Sequence, residues 1–235
     1  MQQDNCQATQ ISEPVLDKKL RYCLEWALYL SAHGNQNQSY RYARYLSVCS
    51  SVLEQDGTES DAIAAICCEV FCDSLVDLAE IEEKFGEDVA EVVTYLHPDQ
   101  YLQPQEKWTK TYLYLIENAV ESSCAESIAM VSAACMLYKL RCQLGDITRI
   151  NLSWIDFYDG LIQSYCNYLD PTNKTMRELK TIFEDRLKPY GKHLLKQELA
   201  EVFQSSSFPK KPRWIDDSIE MSNGDWLIVA DKSSK

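Results

Sequence analysis

The sequence is poor in the two residues that most often interrupt helices. Only seven glycines and seven prolines occur in 235 residues, and alternating apolar and polar runs, which are typical of strands, are almost absent. Between these interruptions the apolar residues recur every three and four positions, which is the spacing of one helix face. We therefore predict an all-α fold.

Basic residues and long apolar runs are also scarce. Lys and Arg total 23 against 36 for Asp and Glu, which gives a net charge of −13, and such a charge repels phosphate backbones and anionic lipids. No window approaches the ~20 apolar residues of a membrane span, and no basic stretch followed by an apolar one opens the chain. We expect a cytoplasmic protein with no nucleic-acid partner and no membrane span.

Cysteine, by contrast, is abundant. Ten cysteines occur, and most lie inside apolar helical patterns rather than at the loop positions where disulfides link secreted domains. We therefore expect reduced thiols. The densest group, Cys67, Cys68 and Cys72, lies in the segment IAAICCEVFCDS at 63–74.

Helix start and stop signals predict a series of helices followed by a polar tail. We expect a flexible N-terminus over 1–14, a helical domain over 15–204, and a linker and tail over 205–235, where Ser, Pro and Lys replace the helical pattern. Helices are predicted at about 15–32, 40–55, 61–74, 77–85, 87–96, 104–121, 125–144, 153–169, 175–188 and 190–204. The expected caps are Thr58 or Asp61, Asp77 with Glu80, Thr175 with Glu178, and Gly86 as a helix end.

Six segments in order resemble an HD domain of the RelA/SpoT type. They are SAHGNQNQ, RYLSVC, AAICCEVFCDS, LAEIEEKFGEDVAEVVTYL, WTKTYLYLIENA and IAMVSAACMLYKLR. The resemblance covers roughly residues 20–145, with weaker support to about 200, and IEEKFGEDVAEVV is its most specific part. That family hydrolyses guanosine tetraphosphate. The resemblance implies an HD-like helical bundle in which His, a His-Asp pair and a distant Asp hold a divalent metal, commonly manganese.

The residues that should hold the metal are substituted in this chain. The resemblance places the first His of the family at Arg44, its His-Asp pair at Cys68 and Glu69, and its last Asp at Cys135. The intervals of 24 and 67 residues between these positions agree with the layout of the family. Cys72 and Asp73 take the place of a Glu-Asp pair that positions the attacking water. The resemblance therefore implies a catalytic site in which all of these positions are degenerate.

The substrate side of the cleft is also altered. The nucleotide-cleft candidates that the resemblance leaves are His33 and Gln36 in the opening loop, together with Lys139, which stands where an Asn is expected. The Arg-Lys pair that should follow the loop is replaced by Gln38 and Ser39. Cations that would hold a pyrophosphate are thus reduced in number.

Arg44 is the substitution that argues most directly against a bound metal. A guanidinium carries a permanent positive charge and no lone pair, so it cannot ligate a hard dication. We expect no metal and no cofactor, and we predict that Arg44 contacts Glu69 directly, so that an ion pair replaces the charge of the metal.

The thiols allow three interpretations. Cys68 and Cys72 share a helical face that Cys135 is predicted to approach, with Glu69 adjacent, so a thiolate-rich zinc site is one alternative. A nucleophilic thiol activated by Arg44 is a second, although the matched positions include no His to act as its base. The interpretation we favour is that buried thiols fill a pocket vacated by metal and water. His97 is assigned no chemistry.

The tail carries a candidate interaction motif. Residues 214–229 hold two Trp, three Ile, one Leu and one Val, which is unusual for a disordered segment. In the run DWLIV, Trp226 and Val229 are predicted to anchor a protein partner, through addition of a strand or through an acidic-aromatic linear motif. The alternative is that the tail folds back over the helical domain.

Three functions follow from these observations. The leading hypothesis is an inactive HD-type pseudoenzyme that acts as a protein-interaction or regulatory module. The second is a non-catalytic sensor of an alarmone or a related nucleotide, and the third is a phosphohydrolase with a rebuilt Cys/Glu metal site. The identity of the protein partner and the oligomeric state are left open.

Overall fold

The computed structural model is all-α, as predicted, over most of the residues that it describes. These residues are 18–32, 38–73, 75–97, 105–119, 122–202, 221–222 and 225–226. The helices are α1 (Lys18–Ala32), α2 (Gln38–Leu53), α3 (Glu59–Cys72), α4 (Leu78–Phe85), α5 (Glu87–Leu96), α6 (Gln105–Asn118), α7 (Ala125–Gln143), α8 (Leu152–Tyr165), α9 (Lys174–Ile182) and α10 (Lys188–Val202). None of the described helices is both long enough and apolar enough to cross a bilayer.

Shorter elements complete the described chain. A 3-10 turn over Leu144–Arg149 follows α7, and a π-helical turn over Phe183–Leu187 joins α9 to α10. In the tail, β1 (Met221–Ser222) and β2 (Asp225–Trp226) pair antiparallel, with Met221 opposite Trp226.

Helix α3 is the centre of the fold. Its residues from Asp61 to Val70 are all buried, and α1, α2, α4, α5 and α7 pack around it. A helix that is apolar on every side must lie inside a domain. Full burial of Ile63 and of Ile66 stabilises the fold by roughly 1.5–3 kcal/mol for each side chain. The same burial places the Cys67 and Cys68 thiols inside the protein, whereas Cys72, at the end of α3, is partly exposed.

Local capping sets the ends of α3, α4 and α5. Thr58 and Asp61 form a reciprocal capping box at the start of α3, and the Asp77 side chain accepts a hydrogen bond from the Glu80 backbone N–H at the start of α4. Gly86 has φ 102°, a left-handed conformation that a side chain would disfavour, and it separates α4 from α5. These predicted ends are confirmed.

The prediction that Thr175 caps its helix is wrong. Asn173 is the N-cap of α9, because its side chain accepts hydrogen bonds from the backbone N–H groups of Thr175 and Met176. Thr175 is buried instead, and its hydroxyl oxygen accepts a hydrogen bond from the Gln55 side-chain amide. The predicted break between helices near 189 is also absent, since the π-helical turn runs directly into α10.

Candidate functional site

The two central helices are joined by an ion pair at Arg44. Arg44 Nε on α2 lies 2.9 Å from Glu69 Oε2 on α3, and Arg44 Nη2 lies 2.6 Å from Asp73 Oδ2. Nη2 also donates to the Glu69 backbone carbonyl at 3.2 Å. The Arg44 side chain is 13% exposed and that of Glu69 is 2% exposed. The predicted contact between Arg44 and Glu69 is therefore present, and Asp73 is a second partner that the sequence did not indicate.

Further groups surround Asp73. The Tyr45 hydroxyl donates to Asp73 Oδ2 at 2.9 Å, and Arg41 Nε lies 3.3 Å from the same oxygen. Burial, together with the nearby Asp73, raises the pKa of Tyr45 to about 12, so the hydroxyl keeps the proton that it donates. Burial alone would lower the pKa of Arg44, but attraction to Glu69 and Asp73 outweighs it and raises that pKa above its ordinary value. The guanidinium is thus permanently charged between two carboxylates.

The main ion pair is not fully hydrogen-bonded. Among the described residues, neither Arg44 Nε nor Glu69 Oε2 has an aligned hydrogen-bond partner, although the two atoms are close. The contact therefore stabilises mainly through charge. A buried pair of this kind is sensitive to the loss of either member, because the remaining charge has no water to solvate it.

Beside this pair lies a small recess in which several of the substituted positions meet. Its volume is about 210 Å³, including the part that opens to solvent, and its lining residues are Cys68, Glu69, Leu96, His97, Tyr112, Cys135, Met136 and Lys139. Residues from α3, α5, α6 and α7 thus converge. The structure brings together Cys68, Glu69 and Cys135, as the sequence predicted, and adds His97.

Two thiols of the recess are uncharged. Burial raises the pKa of Cys68 and that of Cys135 well above the ordinary value, and the Glu69 carboxylate raises both further. Cys135 also hydrogen-bonds to Glu69. Neutral, buried thiols behave as small apolar side chains, which supports the interpretation that they fill space.

His97, which was assigned no chemistry from the sequence, lies beside Cys72. Its Nδ1 is 3.4 Å from Cys72 Sγ, and its Nε2 is 3.8 Å away. Burial and the Lys139 ammonium lower the pKa of His97 to about 3. A hydrogen bond to the Cys68 backbone has the opposite effect on this pKa but is outweighed. The imidazole is therefore uncharged at neutral pH. The positions matched to the HD pattern include no His that could act as a base, but the turn after α5 brings His97, which lies outside those positions, to the end of α3.

Lys139 lies over the recess from α7. Burial lowers its pKa, but attraction to Cys72, Glu69 and Cys135 outweighs that effect, and the pKa is raised above its ordinary value. Lys139 is therefore a charged ammonium whose neighbours include the Glu69 carboxylate. It is the one nucleotide-cleft candidate within the described residues, because His33 and Gln36 lie outside them.

The remaining predicted sites are in part beyond the described structure. Within the described ranges, no three His, Cys, Asp or Glu side chains are placed to hold a metal ion, so Cys68, Cys72, Cys135 and Glu69 are not arranged as the zinc site considered above requires. The Trp226 backbone belongs to β2, whereas Val229 lies outside the described residues.

Comparisons with family models and with curated proteins find no match for this chain. The resemblance to HD domains is therefore carried by the residues alone.

Proposed function

We propose that this protein is a catalytically inactive, HD-type helical scaffold that acts as a protein-interaction or regulatory module. The observation that carries the proposal is the position of Arg44. Its guanidinium lies 2.9 Å from Glu69 and 2.6 Å from Asp73, next to the recess that the substituted positions line.

The charges around Arg44 support this proposal. In a metal-dependent hydrolase, carboxylate and imidazole lone pairs would face a dication and its bound water. Here the guanidiniums of Arg44 and Arg41 already balance the carboxylates of Glu69 and Asp73, and they would repel a further cation. The thiols at 68 and 135 are neutral, and hard dications bind neutral sulfur poorly.

The size of the recess favours the scaffold over a nucleotide sensor. Pockets for small organic ligands typically hold ~300–1,000 Å³, whereas the space that water-sized molecules can occupy in this recess is only about 10 Å³. A guanosine tetraphosphate also carries several negative charges. Lys139 and Arg44 are paired with acidic groups of the protein itself and are poorly placed to receive it.

Metal and activity measurements test the catalytic half of the proposal. The reduced full-length protein is expected to retain no stoichiometric manganese after gel filtration and to release no pyrophosphate from guanosine tetraphosphate. One equivalent of manganese, or turnover above a metal-free blank, would overturn the proposal.

A restored variant tests the correspondence with the HD pattern. It combines Arg44→His, Cys68→His, Glu69→Asp and Cys135→Asp. If the correspondence is right, the folded variant binds about one manganese per chain, which elemental analysis measures. A variant that keeps the parent circular dichroism spectrum and binds no manganese would contradict the HD assignment.

The part of the proposal that concerns binding of a protein partner depends on the tail. We expect Trp226→Ala combined with Val229→Ala to abolish capture of the protein partner by the full-length chain, while Ile228→Ala, a matched change within the same run, retains it. Truncation after residue 204 should abolish capture without changing the melting temperature. Lowered melting with capture intact would show that the tail belongs to the fold instead.

A further inference from the structure

The last two helices carry a row of lysines along one side. Buried residues recur there every four positions, and they are Leu179, Phe183, Leu187, Gly191 and Leu195. The residues that directly follow them are Lys180, Glu184, Lys188, Lys192 and Lys196. Because successive helical residues lie about 100° apart around the axis, each of these five side chains lies to the same side of the buried residue before it. We call this set the lysine row, although one member is a glutamate.

The π-helical turn keeps the row on one side. In a regular α-helix, residues four apart are offset by about 40° around the axis, so Leu195 would lie ~160° away from Leu179 and would face solvent. The π-helical turn over Phe183–Leu187 takes up one extra residue, which removes ~100° of that offset. Leu179 and Leu195 are accordingly both buried, with 1% and 5% of their surface exposed. The lysine row follows them over its whole length.

The lysine row is open to solvent. Lys192 and Lys196 are exposed, and Lys180 is half-buried. Glu184 and Lys188 pair with each other at 3.2 Å, so they balance one another. Neither Lys180 nor Lys196 forms an ion pair with any side chain that the structure describes. The row therefore presents positive charge that the described part of the protein does not neutralise.

The charge of this region is opposite to that of the remaining chain. Residues 177–196 include six Lys and Arg against three Asp and Glu, whereas the rest of the sequence includes 17 against 33. Salt screens exposed charges beyond ~8 Å at physiological ionic strength. A ligand that touches only the row is therefore attracted by the lysines, whereas a ligand that covers more of the surface meets the acidic remainder. The row favours a narrow anionic partner.

We propose that the lysine row is a docking surface for an acidic helix of a partner protein. Carboxylates at spacings of three and four residues lie on one face of a helix. They recur about once per turn, at roughly 5–6 Å along the axis, which is also the repeat of the row. The inference goes beyond the proposed function, because it assigns a second binding surface that does not include Trp226 or Val229.

Nucleic acid and membranes match the row less well. Duplex DNA carries one charge per ~1.7 Å of its axis, and it would meet the carboxylates of Glu184 and Asp185, which interrupt the basic surface. The Glu184 side chain is 58% exposed. A protein helix can carry uncharged residues opposite these positions. An anionic membrane is broad, so it would also approach the acidic residues around the row.

Fluorescence anisotropy of a labelled synthetic peptide tests the inference. The probe is an Ala-based helix with glutamates at alternating spacings of three and four residues, and its control carries glutamine at the same positions. In about 50 mM NaCl the full-length protein is expected to bind the glutamate peptide at least tenfold more tightly than the control, and about 300 mM NaCl should remove most of that difference. Equal binding of the two peptides would overturn the inference.

Paired substitutions separate the row from the overall charge. Lys180→Gln combined with Lys196→Gln should weaken binding of the glutamate peptide at least threefold, whereas arginine at both positions should bind like the parent, since it keeps the charge. The matched control is Lys18→Gln combined with Lys110→Gln, which changes exposed lysines on α1 and α6 and alters the net charge equally. It should leave binding unchanged. If both glutamine pairs weaken binding alike, the effect is one of general charge and the inference fails.

Other occupants of the row give distinct results. Tighter binding of duplex DNA, or of phosphatidylserine vesicles, than of the glutamate peptide would assign the row to that ligand. Self-association that Lys180→Gln with Lys196→Gln abolishes would assign it to a second copy. A gain of peptide affinity on Asp216→Asn with Asp217→Asn would assign it to the tail of the same chain. Each of these results overturns the inference.

The tail variant keeps this test independent of the proposed function. Trp226→Ala combined with Val229→Ala should bind the glutamate peptide like the parent, because neither residue belongs to the lysine row. Loss of partner capture in that variant with peptide binding intact would support both binding surfaces. Loss of peptide binding in the same variant would show that the row does not act alone and would overturn the inference.

Discussion

Replacing Arg44 by Leu should destabilise the protein far more than breaking a surface ion pair. The change leaves Glu69 and Asp73 without the guanidinium that now lies 2.9 and 2.6 Å away. Arg41 still reaches Asp73, but the Glu69 carboxylate, whose side chain is 2% exposed, loses its ion-pair partner and keeps only the attraction of Lys139. Two carboxylates then face each other in a region that water barely reaches.

The expected cost follows from the burial of these groups. Unit charges about 3 Å apart attract by roughly 5–6 kcal/mol at an effective dielectric constant of about 20, and desolvation offsets much of that attraction in the native pair. Removing one partner of a buried pair typically costs ~3–5 kcal/mol, because the other charge stays buried. For a chain of this size, such a loss lowers the melting temperature by roughly 6–20 °C.

Urea unfolding followed by circular dichroism measures this free energy of unfolding. Glu69→Gln should cost less than Arg44→Leu, because Arg44 keeps Asp73, and the double variant should cost less than the sum of the two single variants. The control is Glu25→Gln, which breaks the Arg21–Glu25 pair on α1, where the side chains are 72% and 62% exposed. It should change stability by no more than about 0.5 kcal/mol. The reasoning fails if Arg44→Leu unfolds within about 1 kcal/mol of the parent.

Three further predictions concern separate parts of the fold. Thr58→Ala removes the capping box of α3 and should lower the free energy of unfolding by ~1 kcal/mol in urea; an unchanged midpoint would contradict it. Gly57→Ala would bring a Cβ within 2.6 Å of Met130 Sδ and 2.8 Å of the Val52 carbonyl oxygen, and should cost ~1–3 kcal/mol, whereas Gly145→Ala, with nothing within 4 Å, should be neutral or slightly stabilising in thermal melts. His97 has a native pKa of about 3, below its unfolded value near 6.5, so the unfolded state binds the proton first. The stability that neutral His97 contributes is present above pH ~6.5 and falls by up to ~1.4 kcal/mol per pH unit as the pH drops towards 3. His97→Gln should flatten that decline in urea midpoints measured at pH 7, 6 and 5, and an unchanged pH dependence would exclude the effect.

Local sequence signals were sufficient for most helix ends. Thr58, Asp77 and Gly86 act through hydrogen bonds or backbone conformation within a few residues, so their roles can be read without knowledge of the fold. Thr175 has the same local appearance as Thr58. Its hydroxyl nevertheless binds Gln55, which is 120 residues away along the chain, and Asn173 takes over the cap.

The candidate site was predictable only where the HD resemblance placed residues together. The contact of Arg44 with Glu69 was predicted because the resemblance assigns both residues to one metal site, where opposite charges would meet. His97 was missed because its position depends on how the chain turns after α5, and a His beside a Pro gives no signal of that turn. The position of Lys139 beside Glu69 likewise emerges only when α7 is placed against α3. The HD assignment stays a prediction.

The hydrogen bond between Gln55 and Thr175 has a consequence during protein synthesis. Its two partners are separated by 120 residues, and ribosomes add about 5–20 residues per second, so roughly 6–24 s pass between the synthesis of one partner and that of the other. For that interval the turn that precedes α3 is without its native partner. The nascent chain therefore completes this part of its interior only when translation is well advanced, and slowing elongation before codon 175 should prolong the period in which chaperones bind it.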